Sequence, residues 1–132
     1  NSMLMNGTKV ADLITISGDV HHIFPRSYLK NNGVNNKTKY NQVANYIYLD
    51  TQVNKAVSDG APNVYFGKVL NQCEGGNIVL GNISDKDLLM TNLEENCIPQ
   101  NIMNMTVENY DEFLTERRKR MAALIQKYYE RL

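Results

Sequence analysis

Residues 18–25, GDVHHIFP, constrain the fold more than any other stretch, because both histidines of the chain stand side by side there, just before a proline. The run GDVHHIF predicts a short strand that enters a loop or helical turn over PRSYLKNNG. On a strand, successive side chains point to opposite faces, so we expect His21 and His22 on opposite sides. One imidazole could then bind a metal ion while the other transfers a proton. A half-exposed strand with two tolerated histidines is the alternative.

Length and composition describe an ordinary globular chain. The 132 residues suit one domain with a real core, and contents of 42% hydrophobic and 21% charged residues are typical of soluble rather than disordered chains. No apolar run approaches the roughly 20 residues that span a bilayer, and no signal peptide begins the chain. Cys73 and Cys97 form no disulfide framework or C-x-x-C zinc motif, so we expect reduced thiols. We therefore expect a cytoplasmic protein without a membrane partner, and a fragment of a larger chain.

The net charge is zero, but the charges are unevenly distributed. Neutrality argues against nucleic-acid binding by bulk charge alone. Residues 18–55 nevertheless hold five basic residues against Asp19 and Asp50, whereas residues 71–112 hold eight carboxylates and one lysine. The histidine segment is thus locally basic, as a phosphate-binding surface would be, with ordinary solvated faces as the alternative, notably for the run Arg117–Arg120. The five basic residues are Arg26, Lys30, Lys37, Lys39 and Lys55.

Beyond the histidines, the pattern predicts one more strand and then helices. NNKTKYN is polar and turn-like, VANYIYLD is typical of a strand, and TQVNKAVSDG of a short helix. A helix over PNVYFGKVLNQC, a helix capped by Ser84 and a last, longest helix capped by Thr106 follow. The apolar residues of the last helix recur every three or four positions, which predicts that they are buried. They are Tyr110, Phe113, Leu114, Met121, Leu124, Ile125, Tyr128 and Leu132.

The segments DVHHIFPRSYLKNNG, ANYIYLD and NKAVSDGAP together resemble the HNH (His-Me finger, ββα-metal) endonucleases. They are most like the C-terminal nuclease domain of GmrSD-type modification-dependent restriction proteins. The likeness is close over residues 18–66 and less specific in the C-terminal part. It implies an α+β fold in which a ββα-metal module, residues 18–60, is embedded in a mostly helical domain. Residues 61–132 would form the helical buttress with a long C-terminal helix, and residues 1–132 one nuclease domain.

The same resemblance implies a role for each polar residue of the motif. His21 corresponds to the first metal ligand and Asn54 to the second. His22 corresponds to the general base. Asn45, at the start of the second strand, corresponds to the residue that braces the loop and helps to orient the base. Asp19 lies two residues before His21 on the same strand face and is expected to hydrogen-bond a histidine, with an ordinary surface carboxylate as the equal alternative.

These residue types suit phosphodiester hydrolysis. A neutral imidazole, with its ordinary pKa near 6.5, can take a proton from water at neutral pH, and a divalent ion can relieve negative charge on the phosphate and the leaving oxygen. Two neutral protein ligands suit a loosely held Mg²⁺, with Mn²⁺, Ni²⁺ or Zn²⁺ as substitutes in vitro. Arg26, Lys30 and Lys55 are candidates for contacts to backbone phosphates.

The predicted function is therefore metal-dependent cleavage of DNA in a restriction or phage-defence protein. The resemblance also implies an N-terminal NTP-binding recognition domain or partner subunit, and it leaves a homodimer open. Two alternatives stand beside this prediction. The first is a non-catalytic DNA- or protein-binding module on the same fold, and the second is an RNA-cutting, toxin-like nuclease.

Overall fold

The two strands among the described residues form an antiparallel sheet that carries both histidines. A computed structural model describes residues 3–5, 18–50, 53, 57, 60–78 and 80–131. Strand β1 spans Gly18–His22 and strand β2 spans Tyr46–Asp50, with His21 opposite Ile47 and His22 opposite Tyr46. Because opposed residues share a face and neighbours alternate, the two histidines lie on opposite faces, as predicted.

Helices account for most of the remaining described residues, so the coarse expectation of an α+β fold with a long C-terminal helix is confirmed. None of the described helices combines the length and hydrophobicity that a bilayer span requires. After β2, Val53 and Val57 are helical and buried within the predicted short helix. The other elements are α1 (Arg26–Asn31), α2 (Lys37–Tyr40), a 3₁₀ turn (Val43–Asn45), α3 (Pro62–Cys73), α4 (Lys86–Glu95), two further 3₁₀ turns (Gln100–Asn104 and Val107–Asn109) and α5 (Tyr110–Glu130).

Several helix starts differ from the prediction because a neighbouring side chain makes the cap. The segment predicted as a turn contains α2, since the Asn36 side chain accepts a hydrogen bond from the Thr38 amide at 2.9 Å and starts a helix. Helix α4 is capped by Asp85 rather than Ser84, because the Asp85 carboxylate accepts two amide hydrogens of the first turn. Thr106 caps the 3₁₀ turn that leads into α5, not α5 itself.

The buried core joins the turn after the histidines to α3 and the first half of α5. Phe24 is fully buried, and its ring centroid lies 5.2 Å from that of Tyr110 and 4.9 Å from that of Phe113. Aromatic pairs at this distance stabilise a core beyond the area they bury. From α3, the buried Tyr65 hydroxyl donates to the Ile23 carbonyl at 2.6 Å. The end of β1 is therefore attached directly to the buried core.

The second half of α5 does not enter the core, contrary to prediction. Buried positions on this helix end at Arg117, so Tyr110, Phe113 and Leu114 are confirmed as core residues. A helix of 21 residues is about 31 Å long and extends past the body it packs on, which periodicity alone does not reveal. Leu132, also predicted as core, lies outside the described residues. Beyond Arg117, Met121 is half-buried, while Leu124, Ile125 and Tyr128 are 55%, 56% and 64% exposed.

A short N-terminal segment, residues 3–5, docks against α4 and the turn that precedes it. Met3 and Leu4 are buried, and the Leu4 amide donates to the Asn92 side chain on α4 at 2.8 Å. The Leu4 carbonyl accepts from the Asn82 amide at 3.2 Å. Next to it, Gly81 adopts a φ of 61°, a left-handed conformation that favours glycine. The approach of the two backbones leaves no room for a side chain there.

Candidate active site

His22 is held in place at the end of β1, where the strand meets the core. Its imidazole is half-exposed, and Nε2 lies at hydrogen-bond distance, 2.9 Å, from the Asn41 side-chain oxygen. The ring meets that of Tyr46 edge to face, with centroids 5.1 Å apart and an interplanar angle of 87°. The Tyr40 ring lies 6.5 Å away. Two aromatic neighbours and one hydrogen bond thus orient a histidine that solvent still reaches.

Asn45 fastens the turn that follows the histidine pair. Its side chain is fully buried, accepts from the Phe24 amide at 2.8 Å and donates to the Phe24 and Tyr40 carbonyls at 3.1 and 3.4 Å. Its own carbonyl accepts from the Ile23 amide at 2.8 Å. Because Asn45 ends a 3₁₀ turn, β2 begins at Tyr46, later than the predicted strand over VANYIYLD. This geometry is that of a brace, and the contribution of Asn45 to catalysis stays a prediction.

Arg117 clamps the backbone on both sides of Asn45, a role that the sequence did not reveal. The guanidinium donates to the Ala44 carbonyl at 2.9 Å and the Tyr46 carbonyl at 2.6 Å, and to the Asn96 carbonyl at 3.2 and 3.4 Å. Burial lowers the pKa of Arg117 to about 10, so the group is still charged at neutral pH. The prediction of a solvated or phosphate-facing residue is therefore wrong for Arg117.

Of the two predicted metal ligands, the structure describes His21 but not Asn54. His21 is half-exposed on the face of β1 opposite His22, and it makes no hydrogen bond to another described side chain. Such an imidazole fits one ligand position of a divalent cation. Asn54, the side chain of Asp19 and Lys55 lie outside the described residues, so their convergence on His21 stays a prediction. Among the described residues there is no cluster of three or more His, Cys, Asp or Glu, and a His–Asn pair would not form one.

The surface beside His22 is basic. Arg26 and Lys30 are exposed and lie one turn apart on α1, which begins four residues after His22. Lys37 and Lys39 are exposed on α2. Residues 20–49 hold these four basic side chains and no carboxylate. This surface can attract phosphate groups without neutralisation by acidic neighbours within the same segment.

Two cavities of the described chain differ from this surface. One, of about 450 Å³, has Glu94, Glu112 and Glu116 in its wall with only Arg120 to balance them, so it does not suit a phosphate. The other, of about 420 Å³, is an apolar groove between the sheet and α5. Its lining includes Tyr46, from the same sheet face as His22. The candidate site is thus an open, basic surface rather than an enclosed pocket.

Comparison of the chain with protein-family models, with curated proteins and with solved structures gives no match. The features of the chain that bear on function are the placement of the histidines, the residues that hold them and the motif resemblance.

Proposed function

We propose that this chain is a metal-dependent endonuclease domain of the HNH type, with a ββα-metal site, that hydrolyses phosphodiester bonds in DNA. The observation that carries the proposal is the setting of His22. A solvent-accessible imidazole is fixed by Asn41, immediately precedes a turn braced by Asn45 and lies in a basic segment free of carboxylates. A histidine in proton transfer needs this combination of access and fixed direction, whereas a tolerated surface histidine needs neither.

In the proposed reaction, His22 takes a proton from a water molecule while the water oxygen forms a bond to phosphorus. The bond from phosphorus to the 3′ oxygen breaks, and the leaving oxygen takes a proton from solvent. The imidazolium then returns its proton to solvent. Arg26 and Lys30, with Lys55, would contact phosphates on either side and position the strand without reading its sequence.

His21 and Asn54 would hold the divalent cation, with Mg²⁺ as the first choice and Mn²⁺ or Ni²⁺ as substitutes in vitro. When bound, the cation supplies electrostatic stabilisation of the charge on the phosphate and the leaving oxygen. Asp19 is proposed to orient a histidine by a hydrogen bond, as carboxylates beside metal-bound histidines commonly do. Neutral protein ligands leave the cation free to attract phosphate oxygens.

We further propose that the domain acts in the cytoplasm as part of a restriction or phage-defence protein. An N-terminal NTP-binding domain or a partner subunit would recognise the target DNA. Support for this setting is the resemblance of the segments DVHHIFPRSYLKNNG, ANYIYLD and NKAVSDGAP to the restriction nucleases. This biological setting is independent of the chemistry of the site, and a plasmid-nicking assay tests only the chemistry.

A plasmid-nicking assay tests the proposal, with Mg²⁺, Mn²⁺ or EDTA, on the wild type, His22→Ala and the control Gln126→Ala. Gln126 is exposed at the far end of α5, so this control removes a side chain far from the histidines. We expect metal-dependent nicking by the wild type and the control, and a loss of about 10²–10⁴-fold in His22→Ala. Equal nicking by His22→Ala would refute the proposal. Cleavage of RNA alone would favour the toxin-like nuclease, and DNA binding without cleavage the binding module.

A further inference from the structure

We propose that Asn41 is a positioning residue that holds the His22 imidazole with its hydrogen on Nε2, so that Nδ1 is the nitrogen that accepts the proton. The inference rests on the proposed function and adds to it a residue that the motif does not assign. Asn41 is separated from His22 by 19 positions and reaches it only through the fold. Its test has a readout that does not depend on cleavage.

The chemistry of the hydrogen bond determines the tautomer. A neutral imidazole has one nitrogen that donates and one that accepts, whereas an amide oxygen can only accept. Nε2 lies 2.9 Å from the Asn41 oxygen, so the two groups form a hydrogen bond only when Nε2 carries the hydrogen. Nδ1 then holds the lone pair that can take a proton from water. The perpendicular Tyr46 ring opposes rotation that would exchange the two nitrogens.

Asn41 can direct the imidazole because its own position is fixed. It follows the last residue of α2, and its amide donates to the Lys37 carbonyl at 2.9 Å. Helix α2 is tied to α5 by the Tyr110 hydroxyl, which donates to the Lys39 carbonyl at 2.6 Å. Burial raises the pKa of Tyr110 to about 12, so this hydroxyl keeps its hydrogen at neutral pH. The Asn45 side chain, which braces the histidine turn, also donates to the last carbonyl of α2.

The first test is the tautomer itself, read from nitrogen-15 NMR of the imidazoles in the full chain. The chain has only two histidines, so a His21→Gln protein assigns the His22 signals by elimination. In the wild type we expect hydrogen on Nε2 and none on Nδ1. Asn41→Leu, which keeps the branched shape of the side chain but has no acceptor, should give a mixture of tautomers. Asn41→Asp keeps an acceptor at the same place and should keep the wild-type tautomer.

The second test is the kinetics of cleavage by the same proteins. Asn41→Leu should lower kcat by about 10–100-fold, as the loss of an orienting hydrogen bond commonly does, with KM unchanged. Asn41→Asp should recover most of that loss. Asn101→Leu, the same exchange at an exposed position beside the acidic cavity, is the control and should behave as the wild type.

The outcomes separate this inference from the proposed function. Hydrogen on Nδ1 in the wild type, or an unchanged tautomer in Asn41→Leu, would overturn the role of Asn41 even if the protein cleaves DNA. A rise in KM with kcat unchanged would overturn it as well, since Asn41 would then contact the substrate. If no protein cleaves, the proposed function fails, and the NMR spectra still decide whether Asn41 sets the tautomer.

Discussion

Replacement of Arg117 by methionine should destabilise the protein without opening a cavity. Methionine keeps the length and packing of the aliphatic stem and removes only the guanidinium, which donates to three backbone carbonyls. The carbonyls of Ala44 and Asn96 would be left buried without this partner, and that of Tyr46 partly buried. An unpaired buried acceptor destabilises the folded state because it has lost its hydration.

The size of the effect follows from two opposing contributions. Two buried acceptors at about 2 kcal/mol each and one half-buried acceptor at about 1 kcal/mol give a gross loss of about 5 kcal/mol. Methionine also removes the penalty of burying a charge. The lowered pKa of Arg117, about 10 against 12.5, puts that penalty at roughly 3 kcal/mol. The net loss should therefore be about 2 kcal/mol in the free energy of unfolding.

Urea denaturation followed by circular dichroism measures this loss directly. With a denaturant slope of about 1–3 kcal/mol per molar, the midpoint should fall by about 1 M. The matched control is Arg118→Met, one position along α5, where the side chain is exposed and should change the stability by less than about 0.5 kcal/mol. If the Arg117 and Arg118 variants are equally stable, the three carbonyls do not depend on Arg117 and the clamp is not a source of stability.

Three other predictions concern the metal, the basic surface and a glycine. His21→Ala should bind Mn²⁺ about 10–100-fold more weakly in isothermal titration calorimetry. If the affinity for Mn²⁺ is unchanged and cleavage is lost, the roles assigned to His21 and His22 are the wrong way round. The double variant Arg26→Ala, Lys30→Ala should bind DNA more weakly, and equally so for all sequences, in fluorescence anisotropy. The slope of log affinity against log salt concentration should fall by about 2. An unchanged slope would show that neither residue contacts DNA phosphates. Gly81→Ala should cost more than about 2 kcal/mol in thermal or urea unfolding, because a Cβ there would overlap a backbone oxygen of the docked N-terminal segment. Gly33 also has a positive φ, but a Cβ there would meet no other atom, so Gly33→Ala should cost only about 1 kcal/mol. Equal losses of stability in the Gly81 and Gly33 variants would argue against the overlap.

The local parts of the fold were predictable from the sequence because local rules decide them. The alternation of a strand places His21 and His22 on opposite faces wherever the strand lies. Helix starts were less certain, because Ser84 and Asp85 are both good caps and only the geometry selects Asp85. The burial of α5 was overestimated, since an apolar stripe shows which face of a helix could be covered and not how far the rest of the protein extends along it.

The supporting residues of the candidate site could not be predicted, because their partners are distant in the chain. Asn41 reaches His22 across 19 positions, and Arg117 reaches the strand junction across more than 70. Only one signal for Arg117 existed in the sequence. Arg117 lies four residues after Phe113 and four before Met121, so it occupies the apolar face of α5, where an arginine must find buried acceptors.

The clamp made by Arg117 has a consequence for how the protein is produced. During synthesis the histidines leave the ribosome long before α5, since chains grow by only about 5–20 residues per second. Until α5 docks, the carbonyls of Ala44 and Tyr46, on either side of Asn45, lack the hydrogen bonds that Arg117 donates. Helix α2 likewise lacks its hydrogen bond from the Tyr110 hydroxyl. Contacts over such separations form late, because the intervening chain must first be ordered. A growing chain therefore carries both histidines before these contacts can form, and we expect residues 18–50 to lose this geometry if they are transplanted without α5.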